Sequence, residues 1–162
     1  MPLKESLKSR IMDKKDAEIL MVLQENGRES LTNIAKKVNL SIDSVNNRIK
    51  ALQTKGIFQP GIFIDPRAIG FHLIVDVKIK LQNITLEEKE QFISHLSHHP
   101  RIITLLSITG RFDFLCSIIA KDANELERVS TEIRNKYRKA ITDWETTLIL
   151  KTHKLEQYNV HM

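Results

Sequence analysis

The sequence has a single cysteine, few aromatic residues and no long apolar run. Cys116 has no partner for an intrachain disulfide, and its position in the apolar stretch 114–120 predicts a buried side chain rather than a reactive thiol. No stretch approaches the roughly 18 apolar residues that a membrane-spanning helix requires. Residues 1–12 also lack the apolar block of a signal peptide. We therefore expect a globular, cytoplasmic protein with no redox or membrane function.

The positive charge is concentrated in the first part of the chain. The net charge is +5 over 162 residues. Residues 1–64 contain 11 Lys and Arg against 7 Asp and Glu, whereas residues 65–162 contain 14 against 13. A local basic excess is more informative than total charge, and it favours an anionic partner such as nucleic acid.

The apolar pattern changes from a helical period to a period of two near residue 60, where prolines and glycines cluster. This change predicts two domains, residues 12–57 and 71–155, joined by a hinge at 58–70.

The first domain has the spacing of three short helices. They follow the helix caps Asp13, Ser30 and Ser41, and the last helix ends at Gly56. The link Asn39-Leu40-Ser41 leaves room only for a tight turn, in which Asn39 tolerates a positive φ. This is the spacing of a helix-turn-helix unit.

The third helix is expected to be amphipathic. Its buried face is predicted to contain Ile42, Val45, Ile49 and Leu52. Its opposite face would present hydroxyl, amide and charged groups, namely Asp43, Ser44, Asn46, Asn47, Arg48 and Lys50. Amides can hydrogen-bond adenine edges, and Arg can bind guanine or phosphate. Periodicity alone leaves open whether this face reads DNA, binds a protein or is simply solvated.

The second domain has the pattern βαββαβ. The expected elements are a strand at 73–81, a helix capped by Thr85, strands at 101–109 and 112–121 separated by Gly110-Arg111, a helix capped by Asp122, and a strand at 141–153. This order predicts a ferredoxin-like domain, and hence an α+β protein.

The other face of the predicted sheet is expected to remain uncovered in one copy of the chain. It is predicted to carry Ile74, Ile149 and Trp144, so we expect a second subunit to cover it.

Taken together, these segments resemble the Lrp/AsnC family of bacterial and archaeal transcription regulators, also called feast/famine regulatory proteins. The matching residues are Asp13, Asp16-Ala-Glu-Ile19-Leu20, Asn26-Gly27-Arg28, Ile34-Ala35, Val38-Asn-Leu40-Ser41, Val45, Arg48-Ile49, Leu52, Gly56-Ile57, Asp65-Pro66, Gly70, Thr109-Gly110-Arg111-Phe112-Asp113, Glu145-Thr146-Thr147 and Lys151. Each motif is weak alone, but their order and spacing are specific.

The resemblance implies a double-stranded DNA-binding helix-turn-helix domain and a ferredoxin-like effector domain. It also implies homodimers that pack through their sheets and often assemble into rings of four dimers, a homo-octamer. Carried over to this chain, it adds Ser41 to the DNA-contact candidates. We expect Lys36, Lys37 and Lys55 to set backbone affinity, and Asn46, Asn47 and Arg48 to read bases.

The same resemblance implies an amino-acid effector bound between dimers near Gly110, Arg111 and Asp113. Gly110 would let a ligand approach the backbone, and Asp113 could hold an α-ammonium group. The alternative is that Gly110 only turns the hairpin and Asp113 satisfies nearby amides. The sequence leaves both open.

An enzyme is one rival interpretation, because the haem-pathway decarboxylases resemble this two-domain plan. Those enzymes have aromatic and His-containing sequence in the second strand region, whereas residues 102–108 contain no His or Tyr. There is also no glycine-rich phosphate loop and no order of Ser, His and Asp typical of a hydrolase. We therefore predict no catalytic residues and no cofactor other than the possible effector.

Two further alternatives concern metals and specificity. His95, His98 and His99 have a spacing that can ligate a metal, but helix carboxyl termini favour His through their dipole, and we predict no metal site. A protein of the same fold could also organise DNA through backbone contacts alone, without an effector.

Overall fold

The computed structural model describes residues 12–160, which form two compact units: 12–63 together with 154–160, and 64–153. Residues 1–11, most of the segment for which the sequence predicts no signal peptide, lie outside the described residues. No helix within 12–160 is long and apolar enough to cross a membrane.

Three helices form the first unit: α1 (Lys14–Glu25), α2 (Leu31–Val38) and α3 (Ile42–Thr54). Each begins where the sequence predicts, because an Asp or Ser side chain accepts a first-turn backbone N–H. The turn between α2 and α3 also has the predicted conformation, with Asn39 at φ 53°. The helices pack around an apolar cluster of Ile19, Ile34, Ala35, Val38 and Val45.

The second unit is a four-stranded antiparallel sheet with two helices. Its elements are a short 3-10 helix (Arg67–Ile69), β1 (Leu73–Leu81), α4 (Leu86–Ser97), β2 (Ile102–Ser107), β3 (Phe114–Ala120), α5 (Ala123–Lys136) and β4 (Ile141–Leu148). The strand order is β2-β3-β1-β4, and all pairs are antiparallel. The predicted ferredoxin-like arrangement is therefore confirmed.

The core of this unit lies between the sheet and its helices. Alternate residues of β1 are buried there against Phe92 and Leu96 of α4 and against Val129 and Ile133 of α5. Cys116 is fully buried, as predicted, and burial raises the pKa of its thiol to about 12.

The last strand is shorter than the sequence indicated. β4 ends at Leu148 rather than near residue 153, and Leu150 is 83% exposed. The Ile149 carbonyl accepts a hydrogen bond from the Arg67 guanidinium at 2.7 Å instead of continuing the ladder. The Ile149 N–H still donates to the Ile74 carbonyl of β1 at 2.8 Å, so the pairing with β1 stops one residue after β4, and the apolar run 148–150 misled the prediction.

The prediction that Trp144 lies on the uncovered sheet face is wrong. Trp144 pairs with Ile79, whose side chain is in the core, so both lie on the helix-covered face. The uncovered face is also more polar than expected. Asp76 accepts a hydrogen bond from Ser117 at 2.6 Å, and Lys78 Nζ forms an ion pair with Glu145 Oε1 at 2.6 Å.

Candidate DNA-binding surface and effector loop

The exposed side of α3 carries most of the DNA-contact residues predicted from the sequence. Asp43, Asn47 and Lys50 are exposed, and Ser44 and Asn46 are half-buried. The Ser41 hydroxyl accepts the Ser44 backbone N–H at 3.2 Å, which makes it the cap of α3. We call the six residues Ser41, Asp43, Ser44, Asn46, Asn47 and Lys50 the reading face.

Cations flank the reading face on both sides in the sequence. Lys36 and Lys37 are exposed in the last turn of α2, and Lys55 is exposed just after α3. Lys37 forms an ion pair with Glu29 at 3.1 Å, which competes with any phosphate contact. Lys36 and Lys55 form no ion pair within the described part of the chain, so their ammonium groups are freer for a phosphate contact than that of Lys37.

Arg48 lies on the side of α3 that faces α1. Its Nη1 atom is 2.6 Å from Asp13 Oδ2 and 2.7 Å from Asp16 Oδ1. The Asp16 backbone N–H and then Arg48 hold the pKa of Asp13 below its ordinary value, and hydrogen bonds to Asp13 and Asp16 raise the pKa of Arg48. The guanidinium thus links Asp13 and Asp16, the two side chains that cap the start of α1, to α3. The sequence did not predict this contact.

Ile42, which the sequence predicts to be buried, is 46% exposed. It is the first residue of α3, and it lies outside the apolar cluster that holds Val45 and Ile49. The helical period places it on the apolar stripe, but the stripe runs past the end of the core. An exposed apolar side chain beside the reading face can contact a thymine methyl group, and sequence reasoning missed this residue.

Gly110, Arg111 and Asp113 lie in the loop 108–113 between β2 and β3, which we call the effector loop. The Ile108 N–H donates to the Asp113 carbonyl at 2.9 Å and closes the loop. Gly110 has φ 120°, a conformation that L side chains rarely adopt. A Cβ there would meet no atom within 4 Å, so the backbone angle rather than space requires glycine.

The charged groups of the effector loop are already paired. Asp113 accepts the Leu81 N–H at 2.8 Å and Lys80 Nζ at 3.2 Å. Partial burial acts to raise the pKa of Asp113, but these two hydrogen bonds lower it overall. Arg111 is 73% exposed, contacts Asp143 at 2.8 Å and lies over the Phe112 ring.

The three histidines near the end of α4 interact with their own chain. His98 Nδ1 contacts the Ser94 carbonyl at 2.7 Å, and His99 Nδ1 accepts the Arg101 N–H at 3.1 Å. The His95 and His99 rings are perpendicular, with centroids 6.2 Å apart. Burial lowers the pKa of both His95 and His99, which favours neutral rings. Within 12–160, no group of three or more His, Cys, Asp or Glu could hold a metal ion.

Comparisons with known proteins place both units in one family. Residues 12–53 match the AsnC-type helix-turn-helix domain, and residues 74–158 match the Lrp/AsnC ligand binding domain. The HTH-type transcriptional regulator FL11 of Pyrococcus horikoshii is 26% identical over 88% of this chain and 92% of its own. The HTH-type transcriptional regulator Ptr1 of Methanocaldococcus jannaschii is 28% identical over 89% and 95%.

A solved structure agrees with these matches. The transcriptional regulator NMB0573 of Neisseria meningitidis, in its L-Met complex, superposes with a TM-score of 0.81 at 25% identity, over 90% of this chain and 94% of that one. The relatives are transcription regulators rather than enzymes. The chain therefore belongs to the Lrp/AsnC family of DNA-binding transcription regulators and carries that family's ligand-binding domain.

Proposed function

We propose that two copies of this protein insert α3 into successive major grooves of a pseudo-palindromic DNA site. The observation that carries this proposal is the reading face, whose amide, hydroxyl and ammonium groups lie beside the tight turn of a helix-turn-helix unit. In such units the first residues of the recognition helix contact base edges. The half-sites should lie about 34 Å apart, one helical turn, or a multiple of it.

The residues divide into three roles in this proposal. Asn46, Asn47 and Lys50 read base edges, because their side chains make no hydrogen bond or ion pair within the described chain. Lys36 and Lys55, with Lys37 when it leaves Glu29, bind phosphates and set the salt dependence. Arg48 contacts DNA only when its bonds to Asp13 and Asp16 open, and its first role is to hold α3 against α1.

We further propose that residues 12–57 bind DNA, 58–70 form a hinge and 71–155 bind an effector and assemble the oligomer. The dimer, the octameric ring and the cytoplasmic location are also proposals, and they are supported by the family of the chain.

An amino acid is the effector that the family match and the L-Met complex of the Neisseria regulator support. At the effector loop, its α-ammonium would replace Lys80 at Asp113, and Arg111 would leave Asp143 to bind its carboxylate. The two exchanges release Lys80 and Asp143, which are register partners on β1 and β4 and are therefore placed to pair with each other.

A second candidate is a DNA organiser of the same fold without an effector. The pairing of Asp113 with Leu81 and Lys80 favours it, because this carboxylate already has partners without a ligand. Thermal stability measured with each common amino acid separates the two candidates, since a bound ligand raises the melting temperature by mass action.

A footprint on the DNA upstream of the protein's own gene tests the main proposal, at fixed physiological salt and with excess random DNA. We expect discrete protected patches in phase with the helical repeat. Asn47→Ala should remove them, and Gln53→Ala, an exposed amide later in α3, should not. Uniform protection would favour the DNA organiser, and equal loss in both variants would contradict the assigned reading face.

A further inference from the structure

Four exposed cations lie within six residues at the end of α5: Arg134, Lys136, Arg138 and Lys139. We call them the cationic patch. None of their side chains forms an ion pair or a hydrogen bond to the rest of the described chain. Lys136 lies over the Tyr137 ring, with its ammonium 5.7 Å from the ring centroid.

The other arginines and lysines of this unit show that such pairing is available. Those that contact a carboxylate are Lys78, Lys80, Arg101, Arg111 and Arg128. The helix dipole favours cations in the last turn and accounts for Arg134 and Lys136. It does not account for Arg138 and Lys139, which follow the last helical residue. Outside the patch, residues 64–153 contain 9 Lys and Arg against 12 Asp and Glu, so the patch is a concentrated positive surface in an otherwise acidic unit.

The surroundings of the patch also present hydrogen-bond donors. Lys136, Arg138 and Lys139 line a surface cavity of about 290 Å³ together with the amides of Asn83 and Asn135. Glu88 is the one acid in that lining, and its carboxylate already accepts the Thr85 N–H at 2.8 Å as part of the α4 capping box. Cations and amides around a concave surface are the groups that bind phosphate.

We propose that the cationic patch binds the phosphate backbone of DNA outside the site held by α3. This rests on the DNA binding proposed above. A polyanion fits better than a small anion because the cavity takes in only three of the four cations, and Arg134 extends the charge beyond it. Ligand pockets typically start at about 300 Å³, so the cavity is at the lower limit for a metabolite.

The test compares two variants of the full-length protein that each remove two charges from the same unit. Arg138→Gln/Lys139→Gln changes the patch without removing cations from the last turn of α5. The control, Lys121→Gln/Lys151→Gln, changes two exposed lysines that form no ion pair in the described chain. Affinity is measured against salt for a duplex of about 20 bp that holds two half-sites. The same site is then placed in a duplex of about 150 bp.

The salt slope is the slope of log K against log salt concentration. On the long duplex we expect its magnitude to decrease by about 2 for each engaged copy of the patch, because each lost phosphate contact removes about 0.9 from it. The slope on the short duplex and both slopes of the control should match the wild type, and melting temperatures should agree among the three proteins. An unchanged slope on the long duplex would overturn the proposal. An equal fall on both duplexes, or in the control, would also overturn it.

Inorganic phosphate and citrate test the alternative that the patch binds a small free anion. If either raises the melting temperature of the wild type but not of the patch variant, while the long-duplex slope is unchanged, the patch binds free anions and the proposal is wrong. Failure of the proposed function would look different, because the wild type would then show no preference for the short site over random DNA.

Discussion

The reading face and the effector loop differ in how much of their polar chemistry is already used. On the reading face, Asn46, Asn47 and Lys50 have no partner within the described chain, whereas in the effector loop Arg111 and Asp113 are both paired. A surface of free polar groups can bind DNA without breaking internal contacts. A ligand of the effector loop must instead displace contacts that help to hold that unit together.

The largest effect is expected from Asn46→Ala/Asn47→Ala, because each bidentate amide contact to a base contributes about 1–3 kcal/mol of discrimination. Specific binding should weaken by about 2–6 kcal/mol, while affinity for random DNA stays near that of the wild type. Competition binding at one salt concentration measures both. A parallel loss on specific and random DNA would mean that these amides contact only the backbone.

Asp113→Ala tests whether the effector loop stabilises its unit. We expect a loss of about 1–2 kcal/mol in the free energy of unfolding, below the usual value for charged hydrogen bonds because the side chain is 34% exposed. Asp113→Asn is the matched control, since its amide oxygen can still accept the Leu81 N–H. Denaturant unfolding measures the stability of both variants. If Asp113→Ala is as stable as the wild type, the loop contacts are dispensable for stability.

The Asp113 contribution should also depend on pH. The pKa of Asp113 is lower in the folded protein than its ordinary value of 3.8, so its stabilisation is complete above that value. It is lost as the pH falls through the folded pKa. The stability difference between wild type and Asp113→Asn should therefore shrink in strong acid, and a difference that grows there would contradict the assignment.

Arg48 provides a test in which two roles predict opposite results. If Arg48 holds α3 against α1, Arg48→Ala and Asp16→Asn should both destabilise the unit by about 1 kcal/mol and both weaken specific binding. If Arg48 reads bases, Asp16→Asn removes one of its two carboxylate partners and strengthens binding, whereas Arg48→Ala weakens it. Binding and unfolding measured on the two variants distinguish these outcomes, and the double variant gives their coupling.

The smallest effect is expected at Ile42. Burying one methyl group against this side chain contributes about 0.8 kcal/mol, so replacing the contacted thymine by deoxyuridine should weaken wild-type binding roughly fourfold. Ile42→Ala should bind both DNAs with similar affinity. Leu31→Ala is the control, because Leu31 is the comparably exposed first residue of α2. A methyl effect that persists in Ile42→Ala would exclude the contact.

Much of the fold could be predicted because its signals are local. The caps at Asp13, Ser30 and Ser41 act on amides three residues away, and the left-handed Asn39 depends on its own side chain. The alternation of apolar and polar residues along 73–81 determines which face of β1 is buried. The position of the reading face follows from the helical period, although the period overestimated the burial of Ile42 because it does not show where the core ends.

The sequence by itself determined where the helices begin, the order of the elements and the polar side of α3, since these depend on neighbours within about four residues. Only the tertiary structure decided the partners of the charged groups. Arg48 and Asp13 are 35 positions apart, and Asp113 and Leu81 are 32 apart. It also decided that Trp144 lies on the helix-covered face of the sheet, through its register with β1. Such pairings depend on where the chain returns in space, and no local pattern of residue types encodes that choice.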